Sequence, residues 1–92
     1  MVNTTEKPAI NWWVYIVKCS DGTFYTGITT DVNRRLHEHN HCKTGASYTR
    51  GKRPVELVYS EPSSDRSLAS KREYAIKRLT RVQKSTLIQS QP

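Results

Sequence analysis

Five side chains in this 92-residue chain could act together on a phosphate: the phenols of Tyr15 and Tyr25, the Arg35 guanidinium, the His39 imidazole and the Glu73 carboxylate. Arg35 and His39 are four apart and therefore neighbours on one face of any helix that carries both. At that spacing a planar multi-donor cation and a switchable donor or base can reach the same phosphate. Glu73 is the one carboxylate beyond the opening turn of a later helical stretch, and a carboxylate with several waters suits a hard divalent cation such as Mg²⁺. Taken singly, each has an ordinary alternative: tyrosines packing a half-buried sheet, arginines on a wet helix face, and Glu73 paired with Lys77 one turn on.

Positioning these groups requires specific elements. Trp12 to Cys19 and Thr23 to Thr29 are rich in β-branched and aromatic residues, and Ser20-Asp21-Gly22 between them supplies turn chemistry, so the pair reads as an antiparallel hairpin. Side chains alternate along a strand, which puts Tyr25 and Gly27 on one face and brings Tyr15 close to opposite Gly27. Gly27 has no side chain to keep a ligand away and counts as a nucleic-acid contact. Thr30 or Asp31 caps a helix to about Lys43, with Val32 and Leu36 inward, His39 or Asn40 beside them, and Arg34, His37, Glu38 and His41 outward. Residues 44 to 53 read as a loop in which Tyr48, Arg50, Lys52 and Arg53 combine a stacking surface with phosphate-seeking charge.

Further on, Val55 to Ser60 forms a third strand ended by Pro62, and Ser63 or Ser64 caps a helix from about Asp65 to Leu79. Leu68, Ala69, Arg72, Ala75, Ile76 and Leu79 trace its inward stripe, with Glu73 at the border. Thr80 to Gln83 is a capping box that starts a last short helix to about Gln89. The expected architecture is a small α/β (α+β) domain over 11–92, ordered β-β-α-β-α-α around a three-stranded, mainly antiparallel sheet. Residues 1–10 read as a disordered tail.

The spelling Val14-Tyr15-Ile16, then Tyr25-Thr26-Gly27, then Arg35, His39 and Glu73, resembles the GIY-YIG nuclease superfamily, most closely its small stand-alone bacterial members. The resemblance runs from about Trp12 to Ile88. Val14 departs from a usual glycine and Thr26 from a usual isoleucine, and neither position carries a reacting group. The resemblance implies metal-dependent hydrolysis of phosphodiesters, with Tyr15 as general base, Tyr25 supporting the water or phosphate, and Arg35 clamping the scissile phosphate. It also implies that Glu73 holds one Mg²⁺ or Mn²⁺ at the leaving 3′ oxygen and that His39 positions Tyr15 or relays its proton. The spelling does not decide between the two tyrosines as base. A free phenol has a pKa near ~10, so about one in a thousand is ionised at neutral pH, and basic surroundings with a nearby metal are expected to bring the phenolate within reach.

Composition agrees with a polyanionic partner. The net charge is +7, and it is uneven: residues 1–33 sum to −1 and residues 34–84 to +8. Arg34 and Arg72 join the loop residues as expected nucleic-acid contacts, with DNA ahead of RNA as the partner. At 35% hydrophobic residues, a chain of this size has room for one modest core, and a monomer is favoured. Two cysteines make no disulfide framework, and neither a signal-like segment nor an apolar run of membrane-spanning length is present, which points to the cytoplasm. The cluster His37, His39, His41 and Cys42 lacks a second ligand pair at finger spacing, which makes structural zinc a minor alternative, and His37 and His41 read as solvated side chains. Two other readings stay open: a nucleic-acid-binding module that cleaves nothing, and a subunit that docks a protein partner through Trp12-Trp13 or the last helix.

Overall fold

The computed structural model describes residues 11–41 and 47–91, so the 1–10 tail and residues 42–46, including Cys42, lie outside the described residues. The elements are β1 (Trp12–Lys18), β2 (Phe24–Thr29), α1 (Val32–His41), α2 (Ser47–Arg50), β3 (Glu56–Ser63), α3 (Arg66–Lys77) and α4 (Arg81–Gln89). The sheet order is β2-β1-β3, antiparallel throughout, and Tyr15 pairs directly with Gly27 across the hairpin. The turn between β1 and β2 is closed by Asp21, whose carboxylate accepts from both the backbone N–H and the hydroxyl of Thr23, while Gly22 takes a positive φ of 86°.

Three sequence expectations change. Part of the stretch read as a loop winds into the one-turn helix α2, which packs on α1. Pro62 does not end β3; the strand continues to Ser63, because β3 is an edge strand whose missing N–H leaves no central ladder bond unmade. A register shift beside Ile16 and Val17 also lets Val58 sit between the residues they face. The cap of α3 is Asp65, not Ser63 or Ser64; its side chain accepts from the Leu68 N–H. The α1 cap is Asp31, bonded to the Arg34 N–H, and the Thr80–Gln83 capping box forms in both directions.

Alternation along β1 gives the sheet two different faces. Val14 and Ile16 point to one side and, with Tyr59, Ala69 and Ile76, make a dry core that Ile28, Phe24, Leu79, Leu87 and Ile88 extend. Tyr15 and Val17 point to the other and join Cys19 and Val55 under Tyr25, Leu36 and Leu57. Helix α3 touches the first face through a narrower stripe than the sequence suggested. Ala69 and Ile76 are buried and Glu73 lies half-buried between them, whereas Leu68, Arg72 and Ala75 are exposed, Leu68 by 49%. Positions 69, 73 and 76 recur at helical spacing, so a carboxylate occupies the middle of a packed stripe. No helix among the described residues is long and apolar enough to cross a membrane.

Candidate active site

The site is organised around the hydroxyl of Tyr15. This residue is only 2% exposed, and its ring lies across Gly27: a Cβ built there would stand 2.6 Å from the phenol oxygen. Any side chain at position 27 would therefore evict the tyrosine. This corrects the expectation that Gly27 leaves room for a ligand, because the phenol itself fills that room. With no side chain in its way, the hydroxyl of a central-strand residue extends over Gly27 on the edge strand β2.

Helix α1 supplies two of the groups near that hydroxyl. His39 Nε2 is 2.8 Å from the Tyr15 hydroxyl, and its Nδ1 is 2.8 Å from Thr49 Oγ1 on α2. Both His39 and Thr49 are fully buried. The Arg35 guanidinium, one helical turn before His39, lies near enough to the Tyr15 hydroxyl to draw its pKa down, and it donates to Glu38 at 2.9 Å. Glu73 comes from α3, which packs closely on β2, and its negative charge is felt at the Tyr15 hydroxyl. Its carboxylate also meets Lys77 at 3.2 Å. Tyr25 stands edge-on to His39 with ring centroids 5.3 Å apart and stacks on Tyr48 at 5.6 Å.

Burial outweighs the basic surroundings that, together with a nearby metal, the sequence expects to bring the phenolate within reach. Burial pushes the Tyr15 phenol up to about 12, and the charges of Tyr25 and Glu73 push the same way; the Arg35 guanidinium only moderates this. His39 is driven down to about 4 by burial, with the positive charges of Arg35 and then Arg53 adding to it against Glu38. At neutral pH the pair is therefore an uncharged phenol bonded to an uncharged imidazole.

The expected nucleic-acid contacts separate on inspection. Arg34 and Arg50 are exposed, Arg34 reaching Thr30 at 3.3 Å and Glu38 at 3.8 Å. Lys52 bridges to Asp21 at 3.3 Å and lies 4.0 Å over the Tyr48 ring. Tyr48 thus contacts both Tyr25 and Lys52 while remaining 45% exposed, so it braces Tyr25 at the edge of the site. Arg53 turns its guanidinium onto the backbone carbonyls of Glu38 and His39 at the end of α1. Arg72 pairs with Glu61 at 2.8 Å, on the sheet face opposite Tyr15. Sequence reading missed Thr49 and Asn40. Thr49 holds His39, and Asn40 clamps Val55 through both backbone groups at 2.7 and 3.0 Å. Only the polar Asn40 beside the inward stripe of α1 was a usable signal, since nothing in Tyr48-Thr49-Arg50 marks its middle residue.

Among the described residues no three His, Cys, Asp or Glu side chains gather as a metal cluster. His37 and His41 sit 4.7 Å apart on the exposed side of α1. Glu73 alone suits an ion bound through one carboxylate and water, which is the habit of Mg²⁺. A separate cavity of about 380 Å³, lined by Trp13, Asp31, Asn33, Leu57 and Ser60 among others, includes none of the five central residues.

A buried tyrosine bonded to a histidine, with an arginine from the same helix beside it and the charge of a glutamate from the next long helix in reach, fits a nuclease-type domain. The family profile described as GIY-YIG catalytic domain matches residues 11–86, and the chain belongs to the GIY-YIG family. It is 59% identical over 86 residues to UPF0213 protein DP2720 of Desulfotalea psychrophila, covering 94% of this chain and 76% of that one. It is 55% identical over 74 residues to UPF0213 protein VNG_2274C of Halobacterium salinarum, covering 80% and 95%. Among solved structures it resembles protein EF2693 from E. faecalis (44% identity, TM-score 0.58) and UPF0213 protein BH0048 from Bacillus halodurans (42%, 0.55). Each alignment covers 85% of this chain and 82% of the other.

Proposed function

We propose that this protein is a divalent-metal-dependent endonuclease that hydrolyses nucleic-acid phosphodiesters, with DNA ahead of RNA, in DNA processing or repair. The observation that supports it best is the convergence of three groups from two helices on the Tyr15 hydroxyl: His39 bonds it, and Arg35 and Glu73 place opposite charges in its field. A solvated helix face or an ordinary core tyrosine does not need that combination.

In this reading Tyr15 acts without first ionising. At a pKa near 12, about one phenol in a hundred thousand is a phenolate at pH 7, too few to serve as a standing base. The neutral hydroxyl instead accepts a proton from the attacking water as its own proton passes to His39 Nε2. The water oxygen bonds to phosphorus, the bond from phosphorus to the 3′ oxygen breaks, and the departing oxygen is protonated from solvent. A phosphate in the site brings negative charge beside His39 and raises its proton affinity from the low resting value. The Arg35 donors meet the negative charge growing on the phosphate. Tyr25, held between His39 and Tyr48, supports the water or phosphate position. Glu73 would hold one Mg²⁺ or Mn²⁺, which when bound stabilises charge at the leaving oxygen. Lys52, Arg34 and Arg50 carry the approach of the nucleic-acid backbone.

The test is nicking of supercoiled plasmid with Mg²⁺ or Mn²⁺, run beside Tyr15→Phe, Arg35→Ala and Glu73→Ala. Each variant is expected to lose on the order of 10² to 10³ in rate while keeping salt-sensitive binding. If wild type binds but cuts no single-stranded, duplex, branched or RNA substrate, the protein is a binding module and the proposal fails.

A further inference from the structure

The Tyr15–His39 pair needs one ring nitrogen of His39 to be free of a proton and pointed at the phenol, and the imidazole cannot choose that tautomer by itself. Its other nitrogen faces the Thr49 hydroxyl, so the partner of His39 Nδ1 decides what Nε2 can do.

The chemistry of the groups in contact gives the direction. The Tyr15 hydroxyl is buried and uncharged, and the Arg35 guanidinium near it has only N–H donors, so it cannot receive the phenolic proton. The single phenolic proton then needs an acceptor, and among the described residues His39 Nε2 offers one at 2.8 Å. With Nε2 accepting, Nδ1 must carry the ring proton, and Thr49 Oγ1 at 2.8 Å receives it.

Thr49 is placed for this with little freedom. It is fully buried, and the short segment carrying it is fastened on three sides. The Arg53 guanidinium holds the segment to the carbonyls ending α1, and Asn40 clamps Val55 through both its backbone groups. The Lys52 carbonyl accepts from the Ser20 N–H of the hairpin turn at 2.9 Å, and the Lys52 N–H closes back on Thr49 O at 2.9 Å. A hydroxyl anchored in this way sets both the tilt and the tautomer of the ring beside it.

We infer that Thr49 is a positioning residue, which holds His39 as the Nδ1–H tautomer so that Nε2 can take the proton of Tyr15. The inference rests on the nuclease reading for its purpose but not for its first measurement. In ¹⁵N-labelled full-length protein, long-range ¹H–¹⁵N correlations of the His39 ring at neutral pH should show a protonated Nδ1 and a bare Nε2. Thr49→Val, which keeps the shape and removes the hydroxyl, should shift the ring to the other tautomer or to a mixture of the two. Thr49→Ser should restore the wild-type pattern. In the nicking assay Thr49→Val should lower kcat between about tenfold and a hundredfold with KM unchanged, and Thr49→Ser should recover most of it. A wild-type His39 protonated at Nε2, or a Thr49→Val ring with an unaltered tautomer, overturns the inference. If Thr49→Val fails to fold, Thr49→Ala is read in its place for the same tautomer change. Absence of nicking alongside the expected tautomer change would remove the nuclease reading and leave the role of Thr49 in the pair standing.

Discussion

On the sheet face turned toward α3 and α4, Val14, Ile16, Ala69 and Ile76 are all at 0% exposure and contact apolar neighbours. On the opposite face, the same strand's Tyr15 meets a histidine, an arginine and the charge of a glutamate, and the buried set includes His39 and Thr49. The first face gains from non-directional removal of apolar area from water, so it tolerates exchange of one aliphatic residue for another at modest cost. The second keeps its buried polar atoms only because each has a specific partner, and loss of one partner leaves the other unsatisfied. One side therefore stabilises the fold, and the other spends part of that stability holding reactive groups in place.

This contrast can be broken from either side. The largest change is expected from Ile16→Ala: a loss of about 2–5 kcal/mol in urea unfolding, from a cavity in the dry face, with residual nicking per folded molecule close to wild type. Next is pH. His39 is neutral when folded, with a pKa near 4 against 6.5 in the unfolded chain, so between these values the unfolded chain binds more protons. Its contribution is therefore complete above pH 6.5 and is lost as pH falls toward 4, on the order of 2–3 kcal/mol in all. Urea midpoints between pH 7 and 4 should show that slope, and His39→Gln should flatten it. The Tyr15 phenol acts in the alkaline direction: raised to about 12, it stabilises below pH 10 and loses that contribution as pH rises through 12.

Gly27→Ala comes third and links the faces to the site. The new methyl would lie 2.6 Å from the Tyr15 oxygen, so about 1–3 kcal/mol of stability should go, and nicking should fall by more than the folded fraction explains. Equal losses in the two measurements would show that the phenol need not sit over Gly27. The smallest effect concerns an exception on the dry face. Thr26 Oγ1 is buried with no hydrogen-bond partner among the described residues, and it pairs across the hairpin with Ile16. Thr26→Val should raise stability by about 1 kcal/mol and leave nicking unaltered. A destabilised variant would mean that the hydroxyl has a use on that face.

Much of the site was readable before any coordinates, for local reasons. Asp21 and Gly22 impose the turn that brings Tyr15 opposite Gly27, and the period-two alternation of the strands orients both. Asp31 and the Thr80–Gln83 box begin helices with their own side chains. Four-residue spacing puts Arg35 and His39 on one helical face. These features depend on neighbours within a few positions, so the order of residues was sufficient to determine them, along with the basic charge of the later two-thirds of the chain.

Tertiary packing decided the rest. Whether Tyr15 lies in water or in a buried pair with His39 depends on α1 and α2 closing over it, and the sign of its pKa change depends on that burial. Arg53, Tyr48 and Arg72 carry the types expected of nucleic-acid contacts, and in the fold they also meet backbone carbonyls, the Tyr25 ring and Glu61, partners between 11 and 23 residues away in the chain. Thr49 becomes important only where a one-turn helix sets its hydroxyl against an imidazole ten positions earlier. Turn and cap energies arise between adjacent residues and are written in the order of the chain, whereas desolvation and long-range pairing exist only once distant segments have met.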